Sequence, residues 1–428
     1  MEILRGVLGI LMFVGIAWAF SINRKQISWR VVGAGLALQI LFGFLVTRVE
    51  LVADIFNAIS NAFVTFLGYS TNGAMFIFGD LANASGSMGF IFAFKVLPTI
   101  IFFAAVSSGL YYLGVLQKIV YVIAYIMART MGLSGAESMS AAGNIFLGQT
   151  EAPLLVKPFI KNMTRSELMC LMTGGMATMA GGVLAGYVSF LGGGDPLEEV
   201  KYASYLLSAS IMNAPAAIVM SKILIPETQP DEIDTELKVN PEKIGANLID
   251  AIANGTVDGL RLALNVGAML ISFIAIIYAI NGGLGYLGSF GGVNEWIESS
   301  TDGQFQDLSL QYILGQVFRV FAFMMGVDWT ESLRVGSLLG QKTVINEFIA
   351  YSDLASLKST GILSEKAIVI STYALCGFSN FSSIAIQIGG IGGIAPSRQS
   401  DLSSLGMIAL LGASMACMMT GTIAGIMF

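Results

Sequence analysis

The sequence predicts an all-α polytopic membrane protein, and three properties of its composition support that class. Apolar residues make up 55% of the 428 positions, and 50 further positions are glycine. Charged residues reach only 12%, whereas soluble domains usually contain ~25%. The mean hydropathy is +0.75. So few charges do not cover the surface of a water-soluble globule, and the chain is therefore predicted to lie in a membrane.

Transmembrane helices are predicted where an uncharged stretch approaches the ~20 residues that cross a bilayer. The first stretch is followed by Arg24, Lys25 and Arg30 and by no small-residue cleavage site, so it is not interpreted as a signal peptide. Positive charges favour the cytoplasmic side, so the N-terminus is predicted to lie outside. The eight predicted spans are 6–23, 31–47, 96–117, 168–194, 202–221, 262–294, 367–397 and 402–428.

The residue types that are missing exclude several classes of function. The chain has no histidine, and its 22 Lys and Arg residues are scattered singly. Zinc chemistry of the HExxH type, Ser/His catalysis and nucleic-acid binding are therefore excluded. No predicted span holds two aspartates or a Ser/Lys pair at its centre, so the chain is predicted not to be an enzyme, and no cofactor is expected.

The chain repeats its own order of elements, and the second copy is predicted to be inverted. A span, an amphipathic stretch, a short apolar segment with polar residues and two more spans follow residue 90 and again residue 261. Three crossings per unit turn the second unit upside down, as in many secondary transporters. The predicted units are 1–90, with two spans and an interfacial amphipathic helix at 50–68; 91–225, the first repeat; 226–260, an acidic linker and amphipathic segment; and 261–428, the second repeat.

The two short apolar segments, hairpin 1 (136–160) and hairpin 2 (330–355), are predicted to be re-entrant. Non-helical backbone at membrane depth survives only where protein or a water-filled cavity satisfies it. A carboxylate at that depth usually marks a pathway or a ligand. The alternative is that both segments are ordinary loops outside the membrane. Their polar apices are Gly148, Gln149, Thr150 and Glu151 in hairpin 1, and Asn346 and Glu347 in hairpin 2.

Each hairpin is followed by a span that is predicted to be broken. The span 168–194 contains TGGMATMAGGVLAGY, and the span 367–397 contains CGFSNFSSIAIQIGG. Glycine pairs and clustered hydroxyls free backbone carbonyls, which can coordinate cations. The alternative is that these small residues only allow close helix packing. Thr178, Asn380 and Ser383 are favoured as ligand contacts because they lie beside the hairpins.

The polar residues at the apices predict the chemistry of the solute. No Arg or Lys occurs within four residues of Glu151 or Glu347, so an anionic solute would find no partner. A neutral solute with hydroxyl groups fits better. Phe378 and Val183 provide an apolar wall for a planar ring.

Five segments closely resemble the concentrative nucleoside transporters, in a bacterial version: GNIFLGQTEAPLLVKP (143–158), GGMATMAGGVLAGY (174–187), LNVGAMLISF (264–273), NEFIAY (346–351) and CGFSNFSSIAIQIGG (376–390). The resemblance covers essentially the whole chain. It implies eight spans with two re-entrant hairpins, a homotrimer, and import of nucleosides such as uridine across the bacterial cytoplasmic membrane. It also implies an elevator-type movement of the hairpins and broken spans against a scaffold that contains spans three and six and the helix at 50–68.

The resemblance also implies residue roles. Nucleobase contacts fall on Gln149, Thr150 and Glu151, with Gly148, Val183 and Phe378 lining the base, and ribose contacts fall on Glu347, Asn380 and Ser383. A sodium ion, the coupling ion, would be held by the side chains of Asn144 and Thr178 and by backbone oxygens of Leu147, Thr178 and Met179. Two alternatives remain at this stage: coupling to protons, as in some members of the family, and a sodium-coupled carrier of another neutral polar solute.

Overall fold

The computed structural model describes residues 2–83, 91–234, 236–237 and 245–428, and within them the fold is helical throughout. The part of the predicted linker at residues 235 and 238–244 lies outside the described residues, as do residues 84–90. The helices are α1 Glu2–Ala19, α2 Trp29–Arg48, α3 Glu50–Phe78, α4 Phe92–Tyr112, α5 Val115–Met131, α6 Gly135–Asn144, α7 Ala152–Leu155, α8 Lys157–Ile160, α9 Arg165–Ala177, α10 Gly181–Gly192, α11 Pro196–Leu224, α12 Leu248–Gly288, α13 Val293–Ser300, α14 Leu310–Met324, α15 Trp329–Val344, α16 Glu347–Ser359, α17 Glu365–Leu375, α18 Phe381–Ile394 and α19 Gln399–Met427.

The predicted spans correspond to helices, but several helix ends differ from the ends of the uncharged stretches. Helix α1 ends at Ala19, before the predicted end at residue 23. There the Arg24 guanidinium donates to the carbonyl oxygens of Trp18, at 3.1 Å, and of Ala19, at 2.6 Å. An uncharged stretch predicts which segment is apolar. The end of the helix is set instead by these side-chain hydrogen bonds to its free carbonyl oxygens.

Helix α12 begins at Leu248, well before the predicted span at 262–294, and ends at Gly288. The Asn247 side chain accepts a hydrogen bond from the backbone N–H of Asp250 at 2.9 Å and so caps the helix. Asp258 and Arg261 interrupt the uncharged stretch, yet both are compatible with a helix. The segment 248–260, predicted as part of the linker unit, is therefore continuous with the sixth span.

The predicted interfacial helix is longer than expected. Helix α3 spans 29 residues, whereas the prediction covered 50–68. Taken with the turn that follows it, Glu50–Ala82 is long and apolar enough to cross a membrane by length and composition. The prediction of a helix is confirmed, but its predicted end at residue 68 was wrong. The apolar residues that recur at helical spacing over 52–66 are followed by further apolar residues, and the helix continues through them without a break.

Seven helical segments of the described chain meet the length and composition expected for a membrane span. They include the helix at Glu50–Ala82 and omit α1 and α18, which are apolar but shorter. Helices α14 and α15 together would make an eighth, bent by 118°. The membrane class is supported by these helices. The assignment of eight particular spans stays a prediction, as does the entry of the hairpins into the bilayer.

Both breaks predicted from glycine and hydroxyl clusters are confirmed. The first lies between α9 and α10, at residues 178–180, and the second between α17 and α18, at residues 376–380. Hairpin 1 folds as α6, an irregular turn, and the short helices α7 and α8; its return arm is interrupted because Pro158 has no N–H to continue α7. Hairpin 2 folds as α15 and α16 around a tight turn at Ile345 and Asn346.

The helices divide into a buried group and an exposed group. In the most apolar part of each span, 94% of residues are buried in Arg165–Gly192 and 89% in α11, but only 11% in Glu50–Ala82 and 17% in α12. Helix α4 packs along α12 and against α3, and meets the buried group through α10. The hairpins and broken helices thus form a packed body with α11 and α19, flanked by a long pair of helices that is mostly open on its outer side.

Candidate transport site

A cavity of about 520 Å³ lies between the apices of the two hairpins and the broken helices. Its floor and walls come from the turn after α6, from α10, from α12, from the start of α16 and from the second break. The nine residues predicted to contact the solute all line this one cavity: Gly148, Gln149, Thr150, Glu151, Val183, Glu347, Phe378, Asn380 and Ser383. The fold therefore brings together residues that are scattered over more than 230 positions of the sequence.

Local capping explains why hairpin 1 presents its polar apex to this cavity. Helix α6 begins with a capping box, in which Ser134 and Glu137 satisfy each other's backbone N–H groups at 3.0 and 3.2 Å. It ends at Asn144, and the turn brings the Glu151 carboxylate to 3.3 Å from the backbone N–H of Gly148, which donates to it. Gly148 and Gln149 are buried, while Thr150 and Glu151 are exposed to the cavities.

Glu347 is a buried carboxylate at the cavity wall, with 3% of its surface exposed. One carboxylate oxygen accepts from the Tyr187 hydroxyl at 2.9 Å, and the other from the Asn380 amide at 2.8 Å. Glu347 is also the first residue of α16, whose N-terminal dipole favours negative charge. The residue before it, Asn346, caps that helix by accepting from the N–H of Ile349 at 3.0 Å. Each oxygen keeps a lone pair for a hydroxyl donor in the cavity.

A chain of amides joins hairpin 1 to the second broken helix. Asn380 caps α18 by accepting from the N–H of Ser383 at 2.9 Å. The Ser383 hydroxyl in turn accepts from the Gln149 amide at 3.1 Å, and the Gln149 carbonyl accepts from the Gln387 amide at 3.2 Å. Gln149 is therefore held in place through both ends of its amide.

Sequence reasoning missed several residues of this site. Tyr187 and Gln387 lie within the segments that resemble the transporter family. Their partners are far away in the sequence, however, 160 residues from Tyr187 and 238 residues from Gln387. Asn265, Met269 and Phe348 also line the cavity. The only signal available was a polar side chain within an otherwise apolar stretch, which Tyr187, Asn265 and Gln387 all provide.

The four residues predicted to hold a cation lie around the end of α6 and the first break. Asn144 is 1% exposed, and neither its amide nitrogen nor its amide oxygen has a hydrogen-bond partner among the described residues. Thr178 caps α9, with its hydroxyl donating to the Gly174 carbonyl at 2.8 Å, and Asn144 packs against the same glycine. Leu147 and Met179 are buried beside them. The unpartnered amide oxygen fits coordination of a cation, because leaving a buried polar atom unsatisfied costs roughly 1–3 kcal/mol.

The donor set around Asn144 is neutral. Within the described residues, no cluster of three or more His, Cys, Asp or Glu side chains has the spacing to hold a metal ion. An amide oxygen, a hydroxyl and carbonyls of an unwound helix are the donors that coordinate sodium in transporters with broken helices. The residues present therefore fit a monovalent cation better than a transition metal.

A second cavity of about 410 Å³ adjoins the first on the side of α4 and the N-terminal half of α12. The two cavities share Glu151, Ala180 and Leu262. The second is lined by polar groups such as Ser107, Asn254 and Asp258. The site thus continues past the apex of hairpin 1 into this second cavity.

A polar cavity between two hairpins and two broken helices, inside a bundle of apolar helices, defines a membrane transporter for a small solute. Family models cover most of the chain. The N-terminus of Na+ dependent nucleoside transporters matches residues 8–81, a nucleoside recognition domain matches 93–194, and the C-terminus of Na+ dependent nucleoside transporters matches 205–425. The chain belongs to the Na+ dependent nucleoside transporter family.

Individual relatives agree with this assignment. The chain is 44% identical over 430 residues to an uncharacterized transporter of Haemophilus influenzae, covering 100% of this chain and 98% of the relative. It is 40% identical to solute carrier family 28 member 3 of Mus musculus and 39% identical to sodium/nucleoside cotransporter 2 of Rattus norvegicus. It covers 58% and 62% of those two longer relatives, which in turn match 98% of this chain.

Solved structures match over the same extent. CNTnw in an inward-facing substrate-bound state has a TM-score of 0.89 and 40% identity, covering 100% of this chain and 98% of that one. A variant of CNTnw in an outward-facing state also has a TM-score of 0.89, with 39% identity and the same coverage. The fold is therefore one that has been solved facing both sides of the membrane.

Proposed function

We propose that this protein imports nucleosides, uridine among them, across the bacterial cytoplasmic membrane, driven by an inward sodium gradient. The observation that carries the proposal is Glu347, a buried carboxylate that is oriented by Tyr187 and Asn380 and lines a cavity of about 520 Å³. A carboxylate held in this way accepts strongly from sugar hydroxyls, because charge-assisted hydrogen bonds are roughly twice as strong as neutral ones.

In this proposal the two ends of the cavity bind the two halves of a nucleoside. Glu347, Asn380 and Ser383 contact the ribose. Gln149, Thr150 and Glu151 contact the polar edge of the base, and Gly148, Val183 and Phe378 line its faces. The chain of amides from Gln149 to Gln387 supports this division, since it fixes the donors and acceptors that a base edge would meet.

We propose that sodium binds at Asn144, Leu147, Thr178 and Met179, next to the apex of hairpin 1. An ion there would be coordinated by the Asn144 amide oxygen and order the turn that carries Gln149, so that sodium and nucleoside strengthen each other's binding by the same factor. One charge that moves through 100 mV supplies about 2.3 kcal/mol, which corresponds to roughly fifty-fold accumulation.

We further propose an elevator-type movement. The buried body of hairpins and broken helices would move against a scaffold of α3, α4 and α12, three helices whose apolar segments are at most 28% buried. In this proposal the N-terminus lies outside and α3 lies along the membrane surface, which together would place the second cavity on the cytoplasmic side of the site. It would then be the exit route of an inward-open state. Eight spans, two re-entrant hairpins and a homotrimer complete the proposal.

Uptake of radiolabelled uridine into proteoliposomes tests the proposal. We expect accumulation with an inward sodium gradient and none with an equal potassium gradient. Accumulation with a proton gradient alone would favour the proton-coupled alternative. Sodium-dependent uptake of another polar solute without competition by any nucleoside would favour the other alternative and refute nucleoside transport.

A further inference from the structure

Lys342 is a buried cation that the proposed transport cycle does not use. It lies in the last turn of the first arm of hairpin 2, and only 3% of its surface is exposed. Its ammonium donates to the Ala374 carbonyl oxygen at 2.9 Å, in the last turn of α17. Among the described residues, no carboxylate lies within ion-pair distance of this ammonium. Glu347, five residues along the chain, is an acidic group on which this charge acts, but the two groups are not paired, so the buried ammonium needs further compensation.

The compensation comes from the end of a broken helix. The last carbonyls of a helix have no intrahelical partner and carry partial negative charge. Helix α17 ends at Leu375, directly before the second break, and Ala374 is the residue before it. The ammonium of Lys342 therefore occupies a position where free carbonyls attract a cation.

Asn213 of α11 shows which residues of the two repeats correspond. Its amide nitrogen donates to the carbonyl of Ala177 at 2.8 Å, at the first break, and to the carbonyl of Cys376 at 2.7 Å, at the second. The Cys417 thiol contacts the same two carbonyls. One side chain thus joins equivalent ends of the two broken helices, and Ala177 and Cys376 are equivalent positions, 199 residues apart.

The same displacement relates the two hairpins. Adding 199 residues to Asn144, the side chain proposed to bind sodium, leads to position 343, next to Lys342. Asn144 is the last residue of α6 and packs against the last turn of α9. Lys342 is in the last turn of α15 and bonds to the last turn of α17. Both side chains sit where the first arm of a hairpin meets the end of a broken helix.

We propose that the Lys342 ammonium is a tethered cation that replaces, in the second repeat, the sodium ion of the first. This inference rests on the proposed sodium site. The first break would then be ordered only while a sodium ion is bound, whereas the second would always be ordered by the lysine ammonium. Hairpin 2 and Asn380 would be held in their binding geometry with or without sodium, and only hairpin 1 would respond to it. Of the two breaks, only the first would then bind a sodium ion.

Two variants test the proposal in purified protein. Lys342→Met removes the charge but keeps much of the length of the side chain, and Lys342→Ala leaves room for a small cation. We expect nucleoside binding at saturating sodium to weaken about 10- to 100-fold in both, the range for losing one hydrogen bond to a charged group. We expect ethylammonium chloride to restore binding in Lys342→Ala and to have no effect on wild type or Lys342→Met. The Hill coefficient for sodium should be 1 in wild type and rise above 1 in Lys342→Ala, where a second sodium ion can enter.

Lys358→Ala is the matched control. Lys358 lies at the end of α16, just after hairpin 2, and donates to a helix carbonyl, that of Leu191, at 2.7 Å, but it also forms an ion pair with Glu198 and lies away from both breaks. We expect its loss to lower thermal stability without changing the sodium dependence and without rescue by ethylammonium.

Each outcome bears on the proposal. Wild-type binding and sodium dependence in Lys342→Met would overturn it, as would failure of ethylammonium to act on folded Lys342→Ala. Failure of both variants to fold would also count against the proposal, because it would show that Lys342 is needed for the stability of the whole fold. If wild type itself showed no sodium-dependent nucleoside binding, the proposed function would fail, and the two failures are thereby distinguished.

Discussion

Replacing Glu347 by glutamine tests the proposed ribose contact most directly. The substitution conserves the volume of the side chain and removes its charge. The Tyr187 hydroxyl, 2.9 Å from one carboxylate oxygen, can still donate to the amide oxygen of glutamine. The Asn380 amide, 2.8 Å from the other oxygen, would meet an amide nitrogen, and two donors would face each other. Both the charge and the orientation of the acceptor are therefore lost.

The size of the effect follows from these contacts. A hydrogen bond to a charged group contributes roughly 1.5–3 kcal/mol, and a neutral one about 0.5–1.5 kcal/mol. If two ribose hydroxyls donate to Glu347, the difference is about 2–3 kcal/mol. Nucleoside binding should weaken about 30- to 150-fold.

Isothermal titration of purified protein with uridine and with 2′,3′-dideoxyuridine measures this effect. We expect Glu347→Gln to weaken uridine binding strongly and dideoxyuridine binding little, since the second ligand has no hydroxyls at those positions. Glu331→Gln is the control, because this carboxylate lies in the same hairpin but bonds to Ser364 away from the cavity. Equal losses for both ligands would refute a ribose contact, as would an unchanged Kd for uridine.

Three further predictions concern other parts of the site. Asn144→Ala should raise the sodium concentration for half-maximal uptake about tenfold, with uptake at saturating sodium largely kept, because sodium and nucleoside binding are linked; an unchanged sodium curve would exclude this residue as a ligand. Tyr187→Phe should weaken uridine binding about tenfold, through the loss of one hydrogen bond to Glu347, and a Kd equal to wild type in the same titration would contradict that role. Gly377→Ala should lower the free energy of unfolding by ~2 kcal/mol or more, since φ is +142° and the new methyl would overlap the Ala177 carbonyl; thermal unfolding in detergent measures it, and a stability equal to wild type would show that the second break tolerates a side chain.

The sequence predicted the elements better than their ends. Uncharged stretches located helices because hydropathy alone decides which segments leave water. They missed the early start of α12 and the true end of α3, because helices tolerate charges and continue past an amphipathic stripe. Glycine and hydroxyl clusters located both breaks, since the cause of a break is local to the chain.

The sequence by itself determined that this chain is a helical membrane protein with two broken helices, and it predicted an inverted repeat and two re-entrant hairpins with acidic apices. Those properties depend on composition and on patterns within about 20 residues, which a linear chain displays. Only the tertiary structure decided that Tyr187 orients Glu347, that Gln387 holds Gln149, and that Asn213 joins the two breaks. These contacts link residues far apart in sequence, and a hydrogen bond depends on distances in space that no local pattern contains.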